Sequence, residues 1–379
     1  MKTFPLTALY VHVPFCASKC RYCDFYSVVG TPEQRRRYVD ALRTEIDRCA
    51  GQRTLAFTTV YIGGGTPTVL DADELDRLLS LIRNATSIAD DAEFTVEANP
   101  GTLTERKLRV LTSHGVNRLS IGAQSFDDRL LRILGRRHTR KDIAAALDAT
   151  RSAGIVKVSL DLIFAIPTQT RDDWRRDLDA LLACDVAHVS TYGLTWEEGT
   201  PLAAQLASGG VARVEEEDEL WMYETAINTF TSVGYEHYEI SNFARKGFAC
   251  AHNEVYWANE AYLGLGPSAV SYTDGERRRN VASIEAYARA LEAGESPVDF
   301  RECLTGEKHA RETAIMKLRR TRGIDLDAFR RDTGFDAEAL GASELQACIQ
   351  QGLIEISSGR LRLTREGLMV ADTVLSELT

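Results

Sequence analysis

The sequence predicts an α/β protein: an open, partial (β/α)6 barrel of parallel strands, followed by a smaller, mostly helical, winged-helix-like C-terminal domain. Three observations carry this expectation. In the first half, short β-rich runs alternate with amphipathic helical stretches, the pattern of strand–helix units around a parallel sheet. Only six such units can be counted, too few to close an eight-stranded barrel. After about residue 210 the alternation stops, and from about Leu304 the chain reads as helices ending in a short hairpin.

The predicted strands are residues 8–13, 58–62, 93–97, 117–121, 156–163 and 187–192. Between them lie helical patterns at 33–49, 73–83, 105–113, 141–153 and 171–183. In the first of these, Tyr38, Leu42 and Ile46 share one face at i, i+4, i+8. A long helix with an acidic start is expected over 215–232, then a strand over 236–240 and an aromatic, glycine-containing loop over 248–272. Near the end, 353–356 and 361–363 flank the turn Ser357-Ser358-Gly359. These shifts divide the chain into 1–212 (barrel), 213–300 (connecting region) and 301–379 (C-terminal domain). In open α/β sheets the chemistry gathers at the C-terminal ends of strands, so functional motifs should follow strands.

Composition narrows the function classes. The chain has 379 residues, 44% hydrophobic and 26% charged, with net charge −10. A balance this acidic argues against general nucleic-acid binding, which needs a basic face. Arg35, Arg36 and Arg37, and Arg277, Arg278 and Arg279, read as solvated faces. The apolar run near the N-terminus is broken by Pro5, His12 and Pro14 and lacks a small-residue cleavage site, so no secretory leader is expected. No apolar stretch is long enough to span a bilayer. The expectation is a cytoplasmic protein whose eight cysteines are mostly reduced, so that clustered ones are ligands rather than disulfides.

One cluster stands out: Cys16-Ala-Ser-Lys-Cys20-Arg-Tyr-Cys23, directly after the first strand. Three thiolates at this spacing can wrap one metal object, and thiolates are the natural ligands of iron–sulfur clusters. Lys19 and Arg21 would favour the thiolate form. Three local ligands leave one iron of a four-iron cluster open, or call on a distant fourth residue. A structural zinc site wants four ligands, and the remaining cysteines stand apart in sequence.

Further along, Gly63-Gly64-Gly65-Thr66 ends the second strand, a turn that permits close approach of backbone to a ligand. It is not a phosphate-binding loop of the Walker type, because no Gly-Lys-Ser/Thr follows. Asp161 lies within an apolar run, where a lone charge is costly; it must pair with a partner such as Arg136 or face a cavity. His252-Asn253-Glu254-Val255-Tyr256-Trp257 places an imidazole, a standard axial ligand for heme iron, beside two large rings. Packing of that segment onto the barrel is the competing reading.

The stretch from Tyr10 to Phe25, with its Cys16, Cys20 and Cys23, resembles the opening of the radical S-adenosylmethionine superfamily. Within it nearly the whole chain is similar to the branch that holds oxygen-independent coproporphyrinogen III oxidases and heme chaperones. The resemblance implies a partial barrel of radical S-adenosylmethionine type. It also implies a [4Fe–4S] cluster on the three cysteines, with an open iron that binds S-adenosylmethionine. It assigns cofactor contacts to Gly64, Gly65, Thr66, Glu97, Gln124, Arg136 and Asp161, and more weakly to Tyr10, Tyr22 and Gly193.

Two departures separate this chain from the oxidases of the branch. They carry a fourth cysteine two places after the third, where this chain has Phe25. They also carry a longer N-terminal arm. The His-Asn-x-x-Tyr-Trp pattern is instead typical of the heme chaperones, which implies heme contacts at His252, Asn253, Tyr256 and Trp257, with His12 and His138 as alternative ligands. No Cys-x-x-Cys-His site for covalent heme is present. The implied partners are heme-accepting proteins such as respiratory cytochromes, reached by a transient approach to the membrane; monomer and homodimer both remain open.

Overall fold

The computed structural model describes residues 6–378, so the segment up to Pro5 that entered the leader argument, and Thr379, lie outside it. Six parallel strands stand side by side in chain order: β1 (Ala8–Val13), β2 (Ala56–Gly64), β3 (Ser87–Ala98), β4 (Arg118–Gln124), β5 (Lys157–Phe164) and β6 (His188–Gly193). They are connected through helices α1 (Pro32–Gln52), α2 (Ala72–Ala85), α3 (Glu105–Ser113), α4 (Asp128–Leu134), α5 (Arg140–Ser152) and α6 (Arg171–Ala183). The apolar faces of these helices bury Leu42, Leu78, Leu108, Leu147 and Leu178 against the outward side chains of the strands. Several start on a reciprocal cap, such as Thr31 with Gln34 and Asp71 with Glu74.

The sheet does not close. On the β6 side, beyond α7 (Pro201–Ala207) and α8 (Glu216–Ser232), the short strands β7 (Glu236–Glu239) and β8 (Asn242–Ala244) turn antiparallel, β8 against β6. On the other side, β9 (Tyr262–Leu265) pairs parallel with β1, followed by β10 (Val270–Thr273), β11 (Glu276–Asn280) and, after α10 (Ile284–Glu292), β12 (Val298–Cys303). The result is one open twelve-stranded sheet.

The segment expected as a loop over 248–272 is therefore ordered. It holds helix α9 (Ala251–Trp257) and strands β9 and β10. Its short elements and scattered aromatics give no clear period of 2 or 3.6, which is why pattern reading missed them.

The C-terminal part contains α11 (Gly306–Leu318), β13 (Ile324–Asp325), α12 (Leu326–Thr333), α13 (Ala342–Gln350), β14 (Ile354–Ser357), β15 (Arg360–Leu363), α14 (Arg365–Met369) and α15 (Ala371–Glu377). The strands form a separate three-stranded sheet, and the helices pack a second core around Leu318, Phe329, Leu345, Leu361 and Val374. The hairpin turns through Ser358 and Gly359, both at positive φ, as a two-residue turn matched to strand twist requires.

Candidate functional site

At the C-terminal end of the parallel strands lies a cavity of about 530 Å3. Cys16, Cys20 and Cys23 line one side of it, on the loop after β1. Two backbone hydrogen bonds close that loop at its base, Cys16 N–H to Val28 O (2.9 Å) and Val28 N–H to Pro14 O (2.8 Å). Its far side is held by Arg21, whose N–H donates to Leu134 O and whose carbonyl accepts from Leu202 N–H. The three thiols thus sit on a loop fixed at both ends. Among the described residues, no three His, Cys, Asp or Glu side chains gather tightly enough for a single metal ion.

The glycine run after β2 lies against this loop. Gly65 N–H donates to Val13 O (2.9 Å) and Thr66 N–H to Phe15 O (2.7 Å). Side chains are excluded here for specific reasons. A Cβ on Gly65 would lie 2.6 Å from the Phe15 carbonyl oxygen, and one on Gly63 would lie 2.7 Å from the Glu97 carboxylate. Gly64 has φ +103°, a left-handed conformation that glycine adopts without strain.

Of the residues implied as cofactor contacts, Tyr22, Gly64, Gly65, Thr66, Glu97, Gln124, Arg136, Asp161 and Gly193 all line the cavity. Glu97, near the end of β3, accepts from the Tyr61 hydroxyl (2.8 Å) and from Gly64 N–H (3.1 Å). Burial pushes its carboxyl up to about 7; the Tyr61 bond opposes that, the nearby Asp161 charge adds to it, and the Gly64 bond opposes it. Gln124 is held at φ +67°, unusual for a non-glycine residue, at the end of β4.

Asp161 faces the cavity, which settles one of the two readings given above. Its partners are hydroxyls, Ser120 Oγ at 3.0 Å and Ser159 Oγ at 3.0 Å, and not Arg136. Arg136 instead reaches the thiol side. Its Nη1 donates to Cys20 Sγ (3.5 Å), and its Nη2 donates to Gly122 O (2.7 Å) and to Asn99 Oδ1. The cavity wall thus carries a guanidinium bonded to one of the cysteines and two carboxyl groups, those of Glu97 and Asp161.

Cys23 differs from the expected thiolate bias. Burial raises the Cys23 thiol to about 11, and neighbouring Cys20 and Cys16 add to this, outweighing the pull of the Phe25 N–H and of Lys19. Lys19 Nζ spends its hydrogen bond on the Phe25 carbonyl (3.3 Å).

Sequence reading missed Tyr61, Asn99, Ser120 and Tyr192, which also line the cavity. Asn99 joins two walls, its Nδ2 donating to Thr66 Oγ1 (2.9 Å) while its Oδ1 accepts from Arg136. The rule that chemistry follows strand ends would have found Asn99, one residue past β3.

Tyr10 lies one layer deeper, its hydroxyl 3.0 Å from His12 Nδ1, and is not part of the cavity wall. The His-Asn-x-x-Tyr-Trp segment is not in that wall either. As α9 it packs against the inner side of β2 and β3 below the cavity. His252 is 1% exposed and stacks on Tyr61 at 5.3 Å. Its Nδ1 lies 3.0 Å from Thr59 Oγ1 and its Nε2 2.9 Å from the Tyr256 hydroxyl. The backbone N–H of His252 donates to Glu93 Oε1 (3.2 Å), and Arg118 Nη1 donates to Phe248 O (3.0 Å). His12 and His138 are also buried and bonded to backbone carbonyls, of Tyr26 and Ala123.

An open α/β sheet with a three-cysteine loop after β1, a glycine cradle after β2 and carboxylates at the ends of later strands is the architecture of a radical S-adenosylmethionine protein. Comparison with known proteins agrees. Residues 10–181 match the Radical SAM superfamily and residues 304–370 the HemN C-terminal domain. Over 371 residues the chain is 34% identical to the heme chaperone HemW of Bacillus subtilis (strain 168), covering 97% of this chain and 98% of that protein. It is 33% identical to the heme chaperone HemW of Lactococcus lactis subsp. lactis (strain IL1403), covering 97% and 96%. The chain belongs to the HemW family of the radical S-adenosylmethionine superfamily. Coproporphyrinogen III oxidase (HemN) from Escherichia coli has the same fold, with a TM-score of 0.87 at 24% identity over 99% of this chain and 90% of that one.

Proposed function

We propose that the protein is a heme chaperone: it holds a [4Fe–4S] cluster and S-adenosylmethionine in the cavity and passes heme to acceptor proteins such as respiratory cytochromes. Full-length likeness to proteins named heme chaperones carries the reading. Phe25, in place of a fourth cysteine and 65% exposed at the cavity rim, supports a role apart from the oxidases.

The residues present fit the cofactors. Cys16, Cys20 and Cys23 would hold the cluster, with Arg136 neutralising thiolate charge at Cys20. When bound, the cluster supplies one-electron chemistry at an open iron. Gly64, Gly65 and Thr66 offer the backbone approach for the methionine part of S-adenosylmethionine, Glu97 an acceptor for ribose hydroxyls, and Gln124, Asp161 and Gly193 the remaining wall. Heme contact falls to His252, Asn253, Tyr256 and Trp257. In the packed state both His252 ring nitrogens are occupied, so ligation requires Tyr256 or Thr59 to let go of the ring. Delivery to membrane-embedded cytochromes requires a transient approach to the membrane, because no helix among the described residues is long and apolar enough to cross it.

Hemin titration of the anaerobically reconstituted protein tests the reading. A shifted Soret band is expected, and its absence removes the heme function. The same preparation, given coproporphyrinogen III, reductant and S-adenosylmethionine, should form no protoporphyrinogen; product would make it an oxidase.

A further inference from the structure

Tyr61 touches both the cofactor wall and the packed His252. Its hydroxyl donates to Glu97 Oε1 (2.8 Å) and it lines the cavity. Its ring stacks on the His252 ring at 5.3 Å, with the planes 29° apart. The placement follows from the alternation of side chains along β2: Thr59, Tyr61 and Gly63 fall on one face, two residues apart. Thr59 Oγ1 lies 3.0 Å from His252 Nδ1, and a Cβ on Gly63 would lie 2.7 Å from the Glu97 carboxylate. Tyr61 stands between them. On β3, Glu93 is the register partner of Thr59 and accepts from the His252 N–H (3.2 Å), while Glu97, further along the same face, lines the cavity. These two strand faces hold α9 at one end and the cofactor wall at the other.

His252 is 1% exposed, with Tyr61 stacked on it and the Tyr256 ring edge-on at 4.9 Å. Ligation of heme iron, as proposed above, requires its ring to leave this stack, so packed and withdrawn His252 are two states of the chain. Tyr61 is held in the stack by its bond to Glu97, and a hydrogen bond to a carboxylate is about twice as strong as one to a neutral acid. The proposed contact with S-adenosylmethionine uses Glu97 as the carboxylate, because only that form accepts at both oxygens.

We infer that Tyr61 couples the two ligands antagonistically: S-adenosylmethionine at Glu97 holds Tyr61, and with it His252, in the packed state, so that cofactor and heme oppose one another. The inference rests on the heme-chaperone reading and names a regulation of that site. By linkage the effect is mutual, each ligand weakening the other by the same factor. Arrival of the cofactor then favours release of heme, the step by which a chaperone hands on its cargo.

The test uses the full chain with its cluster loaded and oxidised, titrated with hemin in the presence and absence of saturating S-adenosylmethionine. In the wild type the cofactor should weaken hemin about fivefold, the lower end of coupling between sites, and saturating hemin should weaken the cofactor equally. Tyr61→Phe keeps the stacked ring and loses the hydroxyl; it should bind both ligands and lose the dependence. Thr59→Val frees His252 Nδ1 without touching Glu97 and should keep the wild-type ratio, with circular dichroism confirming that both variants fold. Hemin binding in the wild type that the cofactor leaves unchanged or tightens overturns the inference and leaves the chaperone reading standing. A ratio kept in Tyr61→Phe, or lost in Thr59→Val as well, removes Tyr61 as the coupling residue. If the wild type binds no hemin, the chaperone reading fails and takes this inference with it.

Discussion

The His252 ring bridges Thr59 on β2 and Tyr256 on its own helix, one ring nitrogen to each hydroxyl at 3.0 and 2.9 Å. Burial lowers its pKa from 6.5 to about 3, so the ring is neutral in the folded protein across the physiological range. Two consequences follow from the proposal that His252 is a heme ligand. Tyr256→Phe removes one competitor for Nε2 and should tighten hemin by roughly threefold to tenfold, the worth of a neutral hydrogen bond. His252→Ala should weaken hemin and change its Soret position. Optical titration reads both, and an unchanged spectrum in His252→Ala removes this residue as the ligand. The folded pKa lies below the unfolded value, so the unfolded chain takes up the proton first. Stability attributable to His252 is therefore intact above about pH 6.5 and falls as pH drops towards 3.

Glu97 titrates in the opposite sense. Its folded pKa, about 7, is above the ordinary 4.5, so the folded state favours the neutral acid and loses stability as pH rises from 4.5 through 7. Only the carboxylate accepts hydrogen bonds at both oxygens. Binding of S-adenosylmethionine should therefore strengthen between pH 6 and 8 and level off above. Glu97→Gln should bind roughly tenfold more weakly at pH 8 and lose the pH dependence. Calorimetric titration at several pH values decides this; a wild-type curve flat from pH 6 to 8 would contradict it.

How much of this was legible in the sequence depends on the range of the forces involved. The six parallel strands and the helices α1, α2, α3, α5 and α6 follow from local periodicity, the short α4 does not, and the turn at Ser358 and Gly359 follows from local turn chemistry. The cysteine loop was visible because its three ligands are adjacent in sequence. Strands β9 to β12 were not, because β9 owes its place to pairing with β1, more than two hundred residues away. Asp161 shows the same limit within the site: an apolar run announces a buried charge, but only the fold shows three serines and not Arg136 satisfying it. The burial of His252 under Tyr61 is likewise a tertiary fact, which a motif of six residues does not carry.

Arg136 and Cys20 make a third case. With Cys20 as a ligand of the proposed cluster, a guanidinium 3.5 Å from its sulfur would stabilise the added electron of the reduced cluster and raise its potential. Arg136→Gln removes the charge and should lower the midpoint by roughly 60 mV, a tenfold change for a one-electron couple. Iron content should stay near four per chain, as three-thiolate ligation to a four-iron cluster implies, whereas Cys20→Ala should lose the cluster. Potentiometry followed by electron paramagnetic resonance reads the shift; a midpoint equal to wild type would show that Arg136 does not set it.

Two glycine substitutions separate the cradle from the scaffold. At Gly65 a Cβ would meet backbone, Phe15 O at 2.6 Å and Phe15 N and C at 2.9 Å, in a segment held by the Gly65–Val13 and Thr66–Phe15 hydrogen bonds. No rotamer change relieves a backbone clash, so the cysteine loop itself must move. Gly65→Ala should lose most iron and S-adenosylmethionine binding while keeping most of its circular dichroism, because Phe15 is one residue at the edge of a core built mainly by the strands and helices of the sheet. At Gly51, in the last turn of α1, a Cβ meets nothing within 4 Å, and the helical backbone needs no positive φ. Gly51→Ala should raise stability by about 0.5–1 kcal/mol and leave iron content unchanged. Iron assay and thermal melting, run side by side, distinguish the two sites. Equal iron in Gly65→Ala and wild type would mean that the loop yields to the methyl group and that the close approach at Gly65 is not needed to hold the cluster.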